Sequence, residues 1–272
     1  MSTTSFPILC DLDGVIWLAH QPIAGSVDAV ERLRRSGHRV LFVTNNSASI
    51  VSDQEAALQQ IGIEAVGDVL TSAMAAAALV QPGERVLVCG GPGIVEALRL
   101  RGAIPVEDGD ADAVMVGFHR SFDYERMRIA SQAVQRGARL VGTNDDATYP
   151  TPDGPIPGGG AILASIATAA GVRPVVAGKP HEPMAELVRR VLGVANSHSA
   201  VMVGDRPETD GLFAKTLGCR FALVWSGVTP EGVQVEPAPD FAANDLAAIE
   251  ALLRGTAQHA DCQATLPLWH KM

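Results

Sequence analysis

Short apolar runs that stop abruptly at polar clusters, alternating with stretches of helical periodicity, constrain this chain more than any other feature. Residues 6–10 (Phe-Pro-Ile-Leu-Cys) and 40–43 (Val-Leu-Phe-Val) have the length and composition of buried parallel strands. Between them Val27, Val30 and Leu33 recur at helical spacing, with Ser26 as the expected N-cap and Gly37 as the expected stop. The unit then repeats. Further strands are expected at 69–70, 85–89, 113–116, 140–142, 175–177, 200–203 and 220–224. Helices are expected at 53–60 (capped by Ser52), 72–80, 94–101, 124–136, 161–170, 184–192, 211–217 and 246–253. Alternation of this kind predicts an α/β fold, a doubly wound parallel sheet.

Residues 143–160 are crowded with Asn, Asp, Pro and Gly and read as one long loop of functional character. Residues 256–272 lack periodicity and read as a tail. No repeat, low-complexity tract or long linker divides the 272 residues, so a second domain is expected as an insertion in the first. A net charge of −9 argues against a nucleic-acid or anionic-membrane partner and leaves a small molecule as the expected one. Cys10, Cys89, Cys219 and Cys262 form no close pair and read as reduced thiols in a cytoplasmic setting. No apolar run approaches the ~20 residues of a membrane span, and the N-terminus lacks an export pattern.

Open parallel sheets bind ligands at the carboxyl ends of their strands, and there the polar clusters fall. Asp11-Leu-Asp13-Gly-Val follows 8–10, Thr44-Asn45-Asn46-Ser47 follows 41–43, and Gly204-Asp205, with Asp210 beyond, follows 201–203. If those strands are neighbours, Asp11, Asp13, Asp205 and Asp210 converge, and their repulsion calls for a cation among them. Mg²⁺ suits an all-oxygen donor set, and no His/Cys cluster competes as a zinc site. Alone, Asp-x-Asp at a strand end reads as a capped turn, and Thr-Asn-Asn as a turn with an N-cap; three such rims in one chain favour a site. Thr44, Asn45 and Asn46 offer neutral donors for phosphoryl oxygens. Lys179, between Gly178 and Pro180 at the end of another strand-like run, supplies the remaining positive charge.

These four ordered motifs resemble those of the haloacid dehalogenase (HAD) superfamily, over about residues 7–229. Asp13-Gly-Val-Ile-Trp17, Thr44-Asn-Asn-Ser47 and Gly-Lys179-Pro make the chain similar to its para-nitrophenylphosphatase and glycerol-phosphate phosphatase-like (NagD-like) branch. The resemblance implies a catalytic core of residues 1–82 and 178–255, an inserted α/β cap at 83–177, and a homodimer formed through the cap. It implies a Mg²⁺-dependent phosphatase for small phosphorylated metabolites: glycerol phosphate, a nucleoside monophosphate, a sugar phosphate, phosphoglycolate or pyridoxal phosphate.

Asp11 would then be the nucleophile that becomes an aspartyl-phosphate, and Asp13 the general acid and base. Asp11, Asp205, Asp210 and the Asp13 carbonyl would hold the metal, and Asn144 and the glycine turn 158–160 would face the substrate. Three features depart from the branch. His119 stands where relatives carry an acidic residue, Gly211 where a helix start is expected to be looser, and His181 close enough to Lys179 to reach substrate. Two rival readings are weighed. Cys89-Gly-Gly91-Pro-Gly93-Ile-Val-Glu96 resembles a dinucleotide fingerprint, but Glu96 replaces the third glycine and would oppose a pyrophosphate. The other is a catalytically weak or inactive phosphate-ligand-binding protein on the same fold.

Overall fold

The computed structural model describes residues 5–149, 151 and 154–264, with 256–264 described by backbone alone. Its first sheet is parallel throughout, in the spatial order Phe241–Ala243, Arg220–Val224, Val201–Gly204, Ile8–Cys10, Val40–Thr44, Val69–Thr71. Ile8, Leu9 and Cys10 are fully buried, as a strand covered on both faces must be. Strand order reverses at Ile8–Cys10, and a crevice forms at such a reversal because the connections on either side cover opposite faces. The carboxyl ends of Ile8–Cys10 and Val201–Gly204 flank that crevice, with Cys10 paired to Val203.

Between Val69–Thr71 and Val201–Gly204 the chain builds a second parallel sheet, ordered Val175–Val176, Arg139–Gly142, Ala113–Val116, Arg85–Cys89, Ile104–Val106. One face of the first sheet packs on Ala29, Val30 and Leu33 and on Leu246, Ile249 and Leu253. On the other face Leu9 and Leu41 belong to a core that continues without a break into Val86, Met115 and Val141 of the second sheet. The helix Ser72–Ala77 makes the join, its buried Ala73, Ala75, Ala76 and Ala77 small enough to let Pro92–Arg101 and Glu182–Leu192 pack against it.

The elements differ from expectation in physically instructive ways. Ser26 is the first residue of the helix Ser26–Arg35 and not its cap. Gly25 takes that place, and the Ser26 hydroxyl donates to the Ile16 carbonyl at 2.8 Å. Ser52 lies inside the helix Val51–Gln60; its Val51 N–H is taken at 2.8 Å by the carboxylate of Glu96, a cap supplied from another helix. The loop after Arg139–Gly142 contains a hairpin, Thr148–Tyr149 with Ile156–Pro157, and its helix starts earlier, at Gly159. Two edge strands, Ile104–Val106 and Phe241–Ala243, are half-exposed, and their apolar runs are too short, one of them interrupted by Pro105, to reveal them. The expected tail is overturned in part: the last helix runs Leu246–Ala264, and residues 265–272 lie outside the described residues.

Gly211 sits in a π-helical turn, Pro207–Gly211, where a side-chain carbon would come 2.7 Å from Pro237 and 2.9 Å from the Phe221 ring, so the glycine tightens this turn where a looser helix start was expected. Cys10, Cys89 and Cys219 are unpaired thiols. Among the described residues no helix is long and apolar enough to cross a membrane.

Candidate active site

Asp11 leaves the strand Ile8–Cys10 at the crevice, its N–H donating to the Val203 carbonyl at 2.9 Å. The chain then turns tightly, with the Gly14 N–H donating to the Trp17 carbonyl at 2.8 Å. Gly14 is required there on two counts. Its φ is +86°, and a side-chain carbon would fall 2.5 Å from the Asp205 carboxylate. The turn and Asp205 are therefore in contact only because position 14 has no side chain.

Carboxylate oxygens of Asp11, Asp205 and Asp210 all lie within 4.8 Å of one another. The Lys179 ammonium, 1% exposed, sits 3.0 Å from Asp11 Oδ1 and 2.8 Å from Asp210 Oδ1. Asp11 Oδ1 also accepts the Leu12 N–H at 2.8 Å, and Asp210 Oδ2 accepts the Arg206 N–H at 3.1 Å. Asp205 Oδ2 accepts the Val228 N–H at 2.8 Å, whereas its Oδ1 is buried with no hydrogen-bond partner among the described residues.

Burial drives the Asp11 carboxyl well above its ordinary pKa; Lys179 opposes this, and Asp210, Asp205 and Asp13 reinforce it. Asp205 is pushed up to about 7, by burial first and the Asp210 charge second. Burial pulls the Lys179 ammonium down, but Asp11 and Asp210 outweigh it and hold the pKa above the usual lysine value. Burial also raises Asp13 and, at the cavity wall, Asp146. Three carboxylates around one ammonium are short of positive charge, and the orphaned Asp205 oxygen points to the missing partner. The donor set is all oxygen, which fits a hard divalent cation.

Above this cluster a cavity of about 610 Å³ opens between the two sheets, lined among others by Asp13, Asn46, Asp146, Tyr149 and Arg206. Phe118 and Tyr149 stack on its wall, ring centres 5.1 Å apart. Asp13, Thr44, Asn45 and Asn144 also line it. Asn45 is the structural knot of the site. Its side chain accepts the Lys179 N–H at 2.8 Å and donates to the Lys179 carbonyl at 2.9 Å and to Asp146 Oδ2 at 3.0 Å. Asn144 donates to the Asn45 carbonyl at 2.9 Å, so its amide braces the loop. Thr44 Oγ1 accepts the Asn46 N–H, and Asn46 Oδ1 in turn caps Ala48 and Ser49.

His181 pairs with Asp145 at 2.8 Å, and neither it nor His119 lines the cavity. His119 is half-buried beside Phe122. The glycines after Arg85–Cys89 also have an account. A side-chain carbon at Gly91 would lie 2.5 Å from the Ala48 carbonyl, so this turn holds the 44–49 loop and leaves no room for a dinucleotide. Sequence reasoning passed over Asp146, Tyr149, Arg206 and the 226–229 turn. The one available signal was the polar Ser-Gly-Val-Thr that ends the strand Arg220–Val224.

Two family models match: haloacid dehalogenase-like hydrolase over residues 8–104, and a HAD-hydrolase-like model over 176–249. A D-glycerol 3-phosphate phosphatase of Mycobacterium tuberculosis is 36% identical over 251 residues, covering 88% of this chain and 69% of that protein. An acid sugar phosphatase of Staphylococcus saprophyticus is 33% identical over 225 residues, covering 81% and 86%. The crystal structure of glycerol phosphate phosphatase from M. tuberculosis in complex with magnesium superposes with a TM-score of 0.81 at 33% identity, covering 91% of this chain and 78% of that one. The chain belongs to the haloacid dehalogenase-like hydrolases, and within them is a phosphoric monoester hydrolase.

Proposed function

We propose that the protein is a magnesium-dependent phosphatase that hydrolyses a small polyol or sugar phosphomonoester through an aspartyl-phosphate on Asp11. The observation that carries this reading is the meeting of the Asp11, Asp205 and Asp210 carboxylates with the buried Lys179 ammonium at the strand reversal. In this reading residues 1–82 and 178–255 form the catalytic core, and 83–177 form a cap that walls the substrate cavity.

Asp11 Oδ1 is fixed by Leu12 and Lys179, so Oδ2 is the attacking atom. Its bond to phosphorus forms as the bond to the alcohol oxygen breaks, and Asp13 gives that oxygen its proton. Asp13 then takes a proton from the water that attacks phosphorus, which frees phosphate and restores the Asp11 carboxylate. Burial, by raising the Asp13 pKa, favours the protonated form that the first step needs. The Thr44 hydroxyl and the main chain at Asn45 face the transferring group, while the Asn45 side chain positions Lys179. Asp11, Asp205 and the Asp13 carbonyl would hold magnesium, with Asp210 behind them; when bound it offsets charge on the phosphoryl oxygens.

Asp146 on the cavity wall supports the substrate class, since a carboxylate accepts hydroxyl hydrogens and repels an acidic substrate tail. Phosphate release is measured over glycerol phosphate, sugar phosphates, phosphoglycolate, nucleoside monophosphates and pyridoxal phosphate, with Mg²⁺ and with EDTA. Polyol and sugar phosphates are expected to lead, EDTA to stop them, and Asp11→Asn to abolish release while the circular dichroism stays unchanged. A folded protein that releases phosphate from none of them in Mg²⁺ refutes the reading and leaves only a phosphate-binding role.

A further inference from the structure

A second cavity, of about 440 Å³, adjoins the first along the helix Val51–Gln60, and Asp13, His20, Thr44, Asn46 and Tyr149 line both. Gln54 lies on its wall. This side chain is 5% exposed, and both its Oε1 and its Nε2 are buried without a protein hydrogen-bond partner among the described residues. Trp17, 2% exposed, lines the same cavity, and its indole Nε1 is likewise unpartnered.

Packing does not call for a glutamine at this position. Gln54 is one helical turn before Leu58, a fully buried core residue, so an apolar side chain is the ordinary choice for that face. A buried amide with neither end paired is costly, and native proteins satisfy such groups with protein atoms or ordered water. The second cavity is the place for that water. The Trp17 indole also acts on Asp13, where it favours the charged form of the carboxylate.

We infer that the cavity beside Val51–Gln60 is a water chamber, in which Gln54 and the Trp17 indole order the water that Asp13 activates against the phosphorylated Asp11. The inference rests on the aspartyl-phosphate reading above. In that step the water oxygen bonds to phosphorus, its proton passes to Asp13, and the phosphorus bond to Asp11 Oδ2 breaks with its electron pair left on the carboxylate. A supply of water from the side lets one molecule take the position of the alcohol oxygen, in line with the bond from phosphorus to Asp11, as soon as the alcohol leaves, so hydrolysis competes with return of the phosphoryl group. Gln54 is thus a positioning residue that acts through water.

The test uses the full chain with Mg²⁺, p-nitrophenyl phosphate as donor and glycerol as a competing acceptor. Released p-nitrophenol counts every phosphoryl transfer, and released phosphate counts only those that end on water. Gln54→Leu removes the two polar atoms at nearly constant volume, and Ala57→Leu narrows the same chamber without touching Gln54. In both variants the burst of p-nitrophenol keeps its wild-type rate, steady-state phosphate release falls, and an acid-stable, hydroxylamine-sensitive phosphoenzyme accumulates. The ratio of p-nitrophenol to phosphate at fixed glycerol rises about tenfold in Gln54→Leu, the worth of one hydrogen bond. A wild-type ratio and a wild-type steady state in both folded variants overturn the inference and leave the reaction scheme standing. Absence of any phosphoenzyme in the wild-type protein on rapid quench overturns the scheme itself, and the inference with it.

Discussion

Two parallel sheets of similar build stand in this molecule, and their carboxyl rims present different chemistry. The first sheet ends its strands in Asp11, Thr44 and Asp205, and the two carboxylates gather charge around one point. The second ends its strands in Gly90-Gly91, Gly117-Phe118 and Thr143-Asn144, and there Gly91 meets the Ala48 backbone and Gly117 the Ser47 and Thr143 side chains. Gly91 packs on Ala48, and Thr143 donates to Ser47 Oγ at 2.8 Å, so the second rim clamps the loop that follows Val40–Thr44. The architecture supplies position at both rims; the residue type placed there decides whether a rim reacts or holds.

Four experiments probe that contrast. The largest effect is expected from Lys179→Met, which leaves the Asp11 and Asp210 carboxylates buried without their ammonium. In EDTA the urea unfolding free energy should drop by about 3–5 kcal/mol, and Mg²⁺ should not restore phosphate release. A smaller loss would mean that the charged rim is wetter than its burial implies.

Next comes pH. The folded Asp205 carboxyl, raised to about 7, binds its proton more tightly than the unfolded chain does. Its contribution to the metal-free protein is therefore fully present below the ordinary carboxylate range and lost as pH rises through about 7. Urea midpoints at about pH 5 and about pH 8 should show Mg²⁺ stabilising more at the higher value, by on the order of 1–4 kcal/mol. Asp205→Asn should flatten that difference, and a flat difference in the wild-type protein would count against the cluster.

The second rim is tested by Gly91→Ala, whose new carbon meets the Ala48 carbonyl at 2.5 Å and its Cα at 2.6 Å. Unfolding free energy should fall by about 1–3 kcal/mol, with kcat lowered and Mg²⁺ affinity unchanged. Loss of Mg²⁺ affinity instead would show that the two rims are not separable. The smallest effect belongs to His181→Ala. The His181–Asp145 pair is 36% and 47% exposed, so thermal unfolding should shift by an amount equivalent to less than about 1 kcal/mol, at unchanged kcat/KM.

Legibility in the sequence followed the range of the force responsible. Val27, Val30 and Leu33 announced a helix because local periodicity and the hydrophobic effect agree there, and the helix formed. Its start was misplaced because Ser26 answers to the Ile16 carbonyl, ten residues away. The helix Val51–Gln60 was likewise foreseen and its cap was not, since Glu96 arrives from a different layer of the fold. The hairpin Trp17–Leu18 with Gln21–Pro22 turns through Ala19 and His20, both left-handed at φ 49° and 64°; neither is the Asn or Gly that betrays such a turn.

Asp11, Asp13, Thr44, Lys179 and Asp205 were visible as strand-end chemistry, and their order along the chain was enough to suggest the class of reaction. Asp146, Arg206 and Gln54 were not, because each takes its meaning from a cavity between elements distant in sequence. Composition and periodicity thus determined the layered α/β build and which residues end its strands, since these depend on local propensity and apolar burial. Only the tertiary structure decided that Asn45 would anchor Lys179 and not stand free, and that the 89–93 glycines would hold a loop and not a cofactor. Hydrogen bonds and steric contact act over a few ångströms, and sequence distance carries no record of which atoms the fold brings that close.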